Sequence, residues 1–250
     1  MNPFEAAAIV AAGVAAGAIN TVVGSGSLVT FPTLLFFGFP PLVANVSNTV
    51  GLVSGSASGV LGYRRELAGQ GRRALRFGFA ALLGGMTGAL ILLALPASTF
   101  ARVVPVLILL ASVLMAVQPR LAAFVAHHRP QGAEHSRALA GLVYLTAIYG
   151  GYFGAAQSVI FIALLAIFIP DDLQRLNGLK NVLALVVNAV AALVFVAVAP
   201  VDWRAAALVA AGSVVGGQVG AAVGRRMSPL TLRNLVVVVG VIVALKLLMA

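Results

Sequence analysis

The chain has no cysteine, which excludes disulfides, thiol catalysis and cysteine-ligated clusters. Acidic residues are almost as scarce. The six present, Glu5, Glu66, Glu134, Asp171, Asp172 and Asp202, lie in connections or at the ends of apolar runs, as do the three histidines, His127, His128 and His135. A proton relay inside a membrane would find no carboxylate or imidazole to use, and a metal or cation cargo would find no carboxylate, thiol or imidazole ligand there. There is no His-Glu-x-x-His helix, no Gly-x-Ser-x-Gly elbow and no phosphate loop. Neither an intramembrane enzyme nor an ATP-driven pump is expected, and no cofactor is expected.

Only 9% of the 250 residues are charged while 61% are hydrophobic, and apolar runs of about 20 residues, the length that crosses a bilayer core of about 30 Å, recur from end to end. The expected fold class is therefore all-α: a polytopic integral membrane protein, with connections too short for a sizeable soluble domain. The start, MNPFEAAAIV, carries Glu5 and no basic stretch, so a cleaved signal peptide is not expected. The net charge of +10 sits largely in connections between apolar runs, where arginines act as topology signals. No nucleic-acid partner is expected.

Five apolar segments fill the first half, over about 4–23, 28–37, 42–62, 76–95 and 102–117. Five more begin near Ala138, Ala156, Leu173, Trp203 and Leu230. The halves match at a nearly constant offset. Gly24, Phe31 and Pro40 pair with Gly154, Phe161 and Pro170, and Gly84-Gly85-Met86-Thr87-Gly88-Ala89 recurs as Gly216-Gly217-Gln218-Val219-Gly220-Ala221. The chain thus reads as an internal duplication: a first membrane repeat over 1–117, a connection over 118–137 and a second repeat over 138–250, forming one transport domain. Equivalent connections carry opposite charge bias. Arg64, Arg65, Arg72 and Arg73 answer to Asp202 and Arg204, whereas Arg102 answers to Arg225, Arg226 and Arg233. The positive-inside rule then orients the copies oppositely, with 63–75, 118–137 and 225–229 cytoplasmic and both termini external. The short second segment, bracketed by Gly26 and Gly38, either crosses fully or returns as a re-entrant hairpin; a single broken helix over the first two segments would instead place the N-terminus inside.

Three groups of residues are candidates for binding. The first break reads Gly24-Ser25-Gly26-Ser27 and its copy Gly154-Ala155-Ala156-Gln157-Ser158. Glycine allows a sharp turn, and free N–H groups at the start of a half-helix attract anions; the competing reading is a tight helix-packing spot. The Gly-Gly-x-x-Gly-Ala pair reads instead as a packing seam. In the third segment of the second half, Asn177, Asn181 and Asn188 fall within roughly 40° of one another around the helix, with Lys180 about 60° to one side. A shift of 130 places this stripe over Ser47, Gly51 and Ser58, with Val50 beneath Lys180. Lys180 has three readings: contact with an anion, snorkelling to the interface, or pairing with Asp171 or Asp172. Asn48, Thr49 and Ser56 lie elsewhere on their helix, where they either bind or bridge to neighbouring helices.

The stretches GAINTVVGSGSLVTFPTLLFFG, NTVGLVSGSASGVLGYRREL, YGGYFGAAQSV and LNGLKNVLALVVNAVAALVF, in this order and with their duplication, resemble the sulfite exporter TauE/SafE family, also called the four-TMS toluene sulfonate uptake permease family. The resemblance covers nearly the whole chain. It implies a bacterial inner-membrane permease of two inverted repeats with broken or re-entrant helices, moving small sulfur anions such as sulfite, sulfonates or thiosulfate. Carried onto this sequence, it points to Gly24, Ser25, Gly26, Ser27, Asn48, Gln157, Ser158, Asn177, Lys180, Asn181 and Asn188 as substrate-binding residues. The second break departs from the commoner glycine-rich form at Ala155 and Ala156. The expected mechanism is rocking of the two repeats about a midplane site, with an anion channel, a permease for another small organic anion and a non-transporting scaffold as alternatives. The expected partners are a small anionic sulfur compound, the lipid bilayer and, as an open option, a second copy in a homodimer.

Overall fold

The computed structural model describes residues 1–127, 137–223, 237–238, 241–242 and 244–245. Among these, nine helices follow one another: α1 (Pro3–Val22), α2 (Ser27–Phe36), α3 (Pro41–Gly62), α4 (Gly71–Ala94), α5 (Ala97–His127), α6 (Arg137–Tyr152), α7 (Gln157–Phe168), α8 (Leu173–Val198) and α9 (Trp203–Val223). The described residues hold no strand. Five helices are long and apolar enough to cross a membrane: α1, α4, the first part of α5, α8 and α9. The chain is a multi-pass, all-α membrane protein. Helix α5 runs on to His127, so the first ten residues of the connection expected over 118–137 are helical. Arg225, Arg226 and Arg233, and most of the last apolar segment, lie outside the described residues.

Local chemistry sets the helix starts. Asn2 and Glu5 form a reciprocal capping box, with Pro3 at the first turn of α1. The Asp172 carboxylate accepts from the N–H groups of Gln174 and Arg175 at the start of α8, and Asp202 accepts from Ala205 at the start of α9. Helices α2 and α7, with 10 and 12 residues, span only about 15–18 Å, near half a bilayer core. Helix α2 folds back along α1. A Cβ added to Gly26 would lie 2.3 Å from the Ala16 carbonyl oxygen, and the Phe37 ring meets the Phe4 ring edge-on at 6.4 Å. The pair is a hairpin returning to the end where α1 began, and the single broken helix is ruled out.

The halves interlock. Helix α9 packs on α1 and α3, α4 packs on α6 and α8, and α3 meets α8 between them. Each fourth helix therefore serves the opposite half. The hydrophobic core divides along the same line, with one cluster built by α4, α6, α7 and α8 and a larger one drawing mainly on α1, α2, α3, α5 and α9. Glycines make the approach possible. A Cβ on Gly17 would lie 2.3 Å from the Ser213 carbonyl and one on Gly216 2.0 Å from that of Val14, across α1 and α9; on the other side, Cβ atoms at Gly84 and Gly88 would meet the carbonyls of Tyr144 and Ile148 at 2.3 and 2.0 Å. Small residues are what let backbones touch in a membrane. Gly84 and Gly88 thus close on α6 and Gly216 on α1, while Gly85 and Gly217 turn toward α8 and α3.

The repeat offset changes along the chain. It is 130 at Gly24 and Gly154, both with positive φ (101° and 79°), but α3 and α8 start 132 positions apart, as do α4 and α9. Two more residues stand before α8, where Asp171 and Asp172 follow Pro170. The stripe Asn177, Asn181, Ala184 and Asn188 accordingly corresponds to Asn45, Thr49, Leu52 and Ser56, and Lys180 to Asn48. The residues a shift of 130 selects face α9 instead. Ser47 Oγ accepts from the Asp202 N–H, Ser54 Oγ donates to the Ala210 carbonyl, and Ser58 Oγ donates to that of Val214.

Asp171 ties the α3–α4 connection to the start of α8. Its carboxylate accepts from Arg73 and Arg175, while Arg175 also donates to the Ala68 carbonyl and Gln70 to that of Arg175. Burial opposes ionisation of Asp171, but hydrogen bonds from Arg73, the Asp172 N–H and Arg175, with the Arg175 charge, outweigh it and hold the pKa below its ordinary value.

Two outcomes follow from these contacts. Gly17→Leu or Gly216→Leu should separate α1 from α9 and cost about 1–3 kcal/mol or more, read as a fall in the detergent Tm; Gly141→Leu, where an added Cβ meets nothing, should not. A carboxylate with a depressed pKa contributes stability in full above its unfolded value, near pH 4, and loses it as pH falls through the lowered folded value. Asp171→Asn should therefore lower the Tm at neutral pH and flatten its dependence below about pH 4.

Candidate functional site

Helices α1 and α6 each end at a turn inside the protein, with a C-terminal tip whose last carbonyls have no partner along the helix. At the tip of α1, Val23 and Gly24 both donate to the Ile19 carbonyl, which leaves Asn20 and Thr21 to be satisfied from outside. Helix α8 does this. Lys180 Nζ donates to the carbonyls of Asn20 (3.1 Å) and Thr21 (3.4 Å), and Asn177 Nδ2 and Asn181 Nδ2 each donate to Thr21 at 3.3 Å. Lys180 is fully buried, at 0% exposure. Its cation and the negative end of the α1 dipole complement each other. It neither snorkels nor pairs with an acid, since Asp171 is engaged by two arginines and Asp172 caps α8.

The tip of α6 is the counterpart. Phe153 and Gly154 donate to the Tyr149 carbonyl, and Asn45, on α3, donates through Nδ2 to that of Tyr152 at 3.2 Å. Asn48 stands where Lys180 would, and its Oδ1 accepts from the Thr30 hydroxyl. Asn45 is a residue the sequence reading missed. The 132 offset finds it, because it then falls on Asn177.

Past each tip the chain turns, and the turn after α1 meets the first turn of α7. Gly24 lies so close to Ser158 that an added Cβ would come within 2.2 Å of the Ser158 Cβ. The turns precede the N-terminal ends of α2 and α7. Gln157 Nε2 donates to Asn188 Oδ1 (3.2 Å), and Asn188 Nδ2 donates to Ser56 Oγ (3.1 Å). Ser56 and Asn188 are 132 positions apart, so this bond joins corresponding positions of the two halves. Ala156, at the start of α7, has φ 61°, a left-handed conformation that favours glycine. The Tyr149 hydroxyl holds this turn through the Ala155 carbonyl at 2.7 Å.

The expected site residues thus fall into separate places. Gly24, Gln157, Ser158 and Asn188 gather at the centre. Asn177, Lys180 and Asn181 gather at the α1 tip. Asn48 joins Thr30. Ser25 Oγ donates to Met115 Sδ at 3.2 Å, Gly26 packs on Ala16, and half-buried Ser27 opens α2. All except Ser27 are buried. Among the described residues no group of three or more His, Cys, Asp or Glu could hold a metal.

No solved structure matches the chain. Among curated proteins, it is 24% identical to the probable membrane transporter protein ORF9 of a Sinorhizobium species over 93% of this chain and 88% of that protein. It is 23% identical to the probable membrane transporter protein YfcA of Escherichia coli strain K12, over 93% and 86%, and 24% identical to a probable membrane transporter protein of Haemophilus influenzae, over 94% and 91%. The family model described as sulfite exporter TauE/SafE matches residues 9–247, and with that span the chain belongs to the TauE/SafE family of membrane transporters.

Proposed function

We propose that the protein moves a small sulfur-containing anion such as sulfite or an organosulfonate out of the cell by alternating access, as a component of the bacterial inner membrane with both termini external. The observation that carries this reading is the contact of Gly24 with Ser158, which sets the turn before α2 against the first turn of α7. Helix N-termini present N–H groups and positive dipole ends to an anion, and half-helices meeting at a repeat interface are where transporters of this architecture bind substrate. Gln157, Ser158 and Asn188 supply polar groups beside them. Lys180 contributes positive charge from the α1 tip. An inside-negative potential of 100 mV contributes about 2.3 kcal/mol to expelling a monoanion, so export needs no proton relay.

Burial of the central residues favours a carrier that opens by turns over a standing channel. The interlocked packing also redefines what moves. The units that rock are α1, α3 and α9 against α4, α6 and α8, rather than one sequence half against the other, with the α3–α8 contact at Ser56 and Asn188 as their hinge line.

The test is binding and flux on purified protein. Sulfite, sulfoacetate, thiosulfate, sulfate and acetate are compared by thermal shift, and radiolabelled sulfite is followed in proteoliposomes. One sulfur oxyanion should stabilise the protein selectively, and its flux should saturate and be stimulated by substrate on the far side. Gly24→Ala, whose Cβ would push the turns apart, should abolish flux in protein that still elutes as a single folded species. Lys180→Met should lower the Tm by leaving the Asn20 carbonyl without its donor, at about 1–3 kcal/mol, and should weaken anion binding. A protein that no anion shifts, or a folded Gly24→Ala variant that transports like wild type, would overturn the reading.

A further inference from the structure

The two helix tips are chemically unequal. At the α1 tip a lysine ammonium supplies the positive charge and the donors. At the α6 tip the equivalent residue is neutral Asn48, and the carbonyls equivalent to those of Asn20 and Thr21 belong to Gly150 and Gly151, next to Tyr152. Beside them, Asn45 is 1% exposed. Its amide nitrogen is spent on the Tyr152 carbonyl, and its Oδ1 is a buried acceptor with no hydrogen-bond donor. A buried acceptor left without a donor is destabilising, and here it stands at the negative end of a helix dipole. Among the described residues no lysine or arginine bonds to this tip as Lys180 does to that of α1.

We infer that the α6 tip binds a monovalent metal cation, sodium or potassium, held by Asn45 Oδ1 and the terminal carbonyls of α6, in the place that the Lys180 ammonium takes at the α1 tip. The chemistry selects the charge. Neutral amide and peptide oxygens suit a hard cation, and carbonyls at the end of a broken helix are a recurrent coordination set for a monovalent ion. A divalent ion would need carboxylates to offset its dehydration, and among the described residues no acidic cluster provides them. The internal template, an ammonium, is itself monovalent. As a binding site this stands on the geometry of the tip alone. As a coupling ion, entering opposite to or with the anion, it rests on the transport reading above.

The experiment uses the full chain in detergent with no sulfur anion present. Thermal unfolding is followed while sodium chloride or potassium chloride replaces choline chloride at constant ionic strength. The Tm should rise and saturate with one or both metal cations, and the two titrations tell which is preferred. Asn45→Leu should abolish the shift. Asn48→Lys, which places an ammonium where Lys180 stands in the other half, should raise the Tm in choline and remove the response to metal cations. Asn45→Asp should move the half-saturating concentration down by about tenfold or more, and it decides the matter if Asn48→Lys does not fold. Lys180→Met, acting at the other tip, should keep the response. Equal Tm values in all three salts, or a metal-cation response that survives in both Asn45→Leu and Asn48→Lys, would overturn the inference. Because the assay contains no sulfur anion, failure here leaves the anion reading standing, and failure of the anion reading leaves this site standing.

Discussion

In hydrocarbon every peptide group must find its partner within the protein, and the two turns, α1 to α2 and α6 to α7, make that constraint acute. Each exposes the last carbonyls of one helix and the first N–H groups of the next within the apolar interior. The polar residues of α3 and α8 answer this need directly: Asn177, Lys180 and Asn181 for the tip of α1, Asn45 for that of α6. A stripe that looks like a ligand surface from the sequence is therefore first a set of substitutes for missing backbone partners. Function is layered on that duty, because the same turns that strand carbonyls at one end gather positive helix ends at the other.

Much of this was legible in the sequence. Composition alone gave the class, since apolar runs of spanning length with so few charges have no other home. The breaks were visible because glycines recur at matching places in two copies, and Lys180 stood out because a lysine within an apolar helix needs a reason. What Lys180 touches was not legible. Its partners are peptide carbonyls, which carry no side-chain signature and depend on where α1 ends.

Register was lost for an equally physical reason. Two more residues precede α8 in the second half, and a shift of two carries a position about 200° around a helix, onto the opposite face. Ser47, Gly51 and Ser58 were thereby matched to the asparagine stripe, although they are contacts to α9, and Asn45 was passed over. Nor could the interlocking of the halves be read in advance. The glycine seams of α4 and α9 fit either an α1-type helix of their own half or that of the other, and only the three-dimensional packing decides between them.

That exchange of fourth helices bears on how the molecule comes into being. During synthesis α1 and α3 enter the membrane long before α9 exists, and α4 is made before α6 and α8. The glycine-lined face of α1 and its C-terminal tip therefore stay unpaired until the second half has been inserted. The first half, though it has the length and hydrophobicity of a complete bundle, is an unfinished object with open backbone faces. The two halves are knit into one body, which closes only when α8 and α9 slot into surfaces laid down at the beginning.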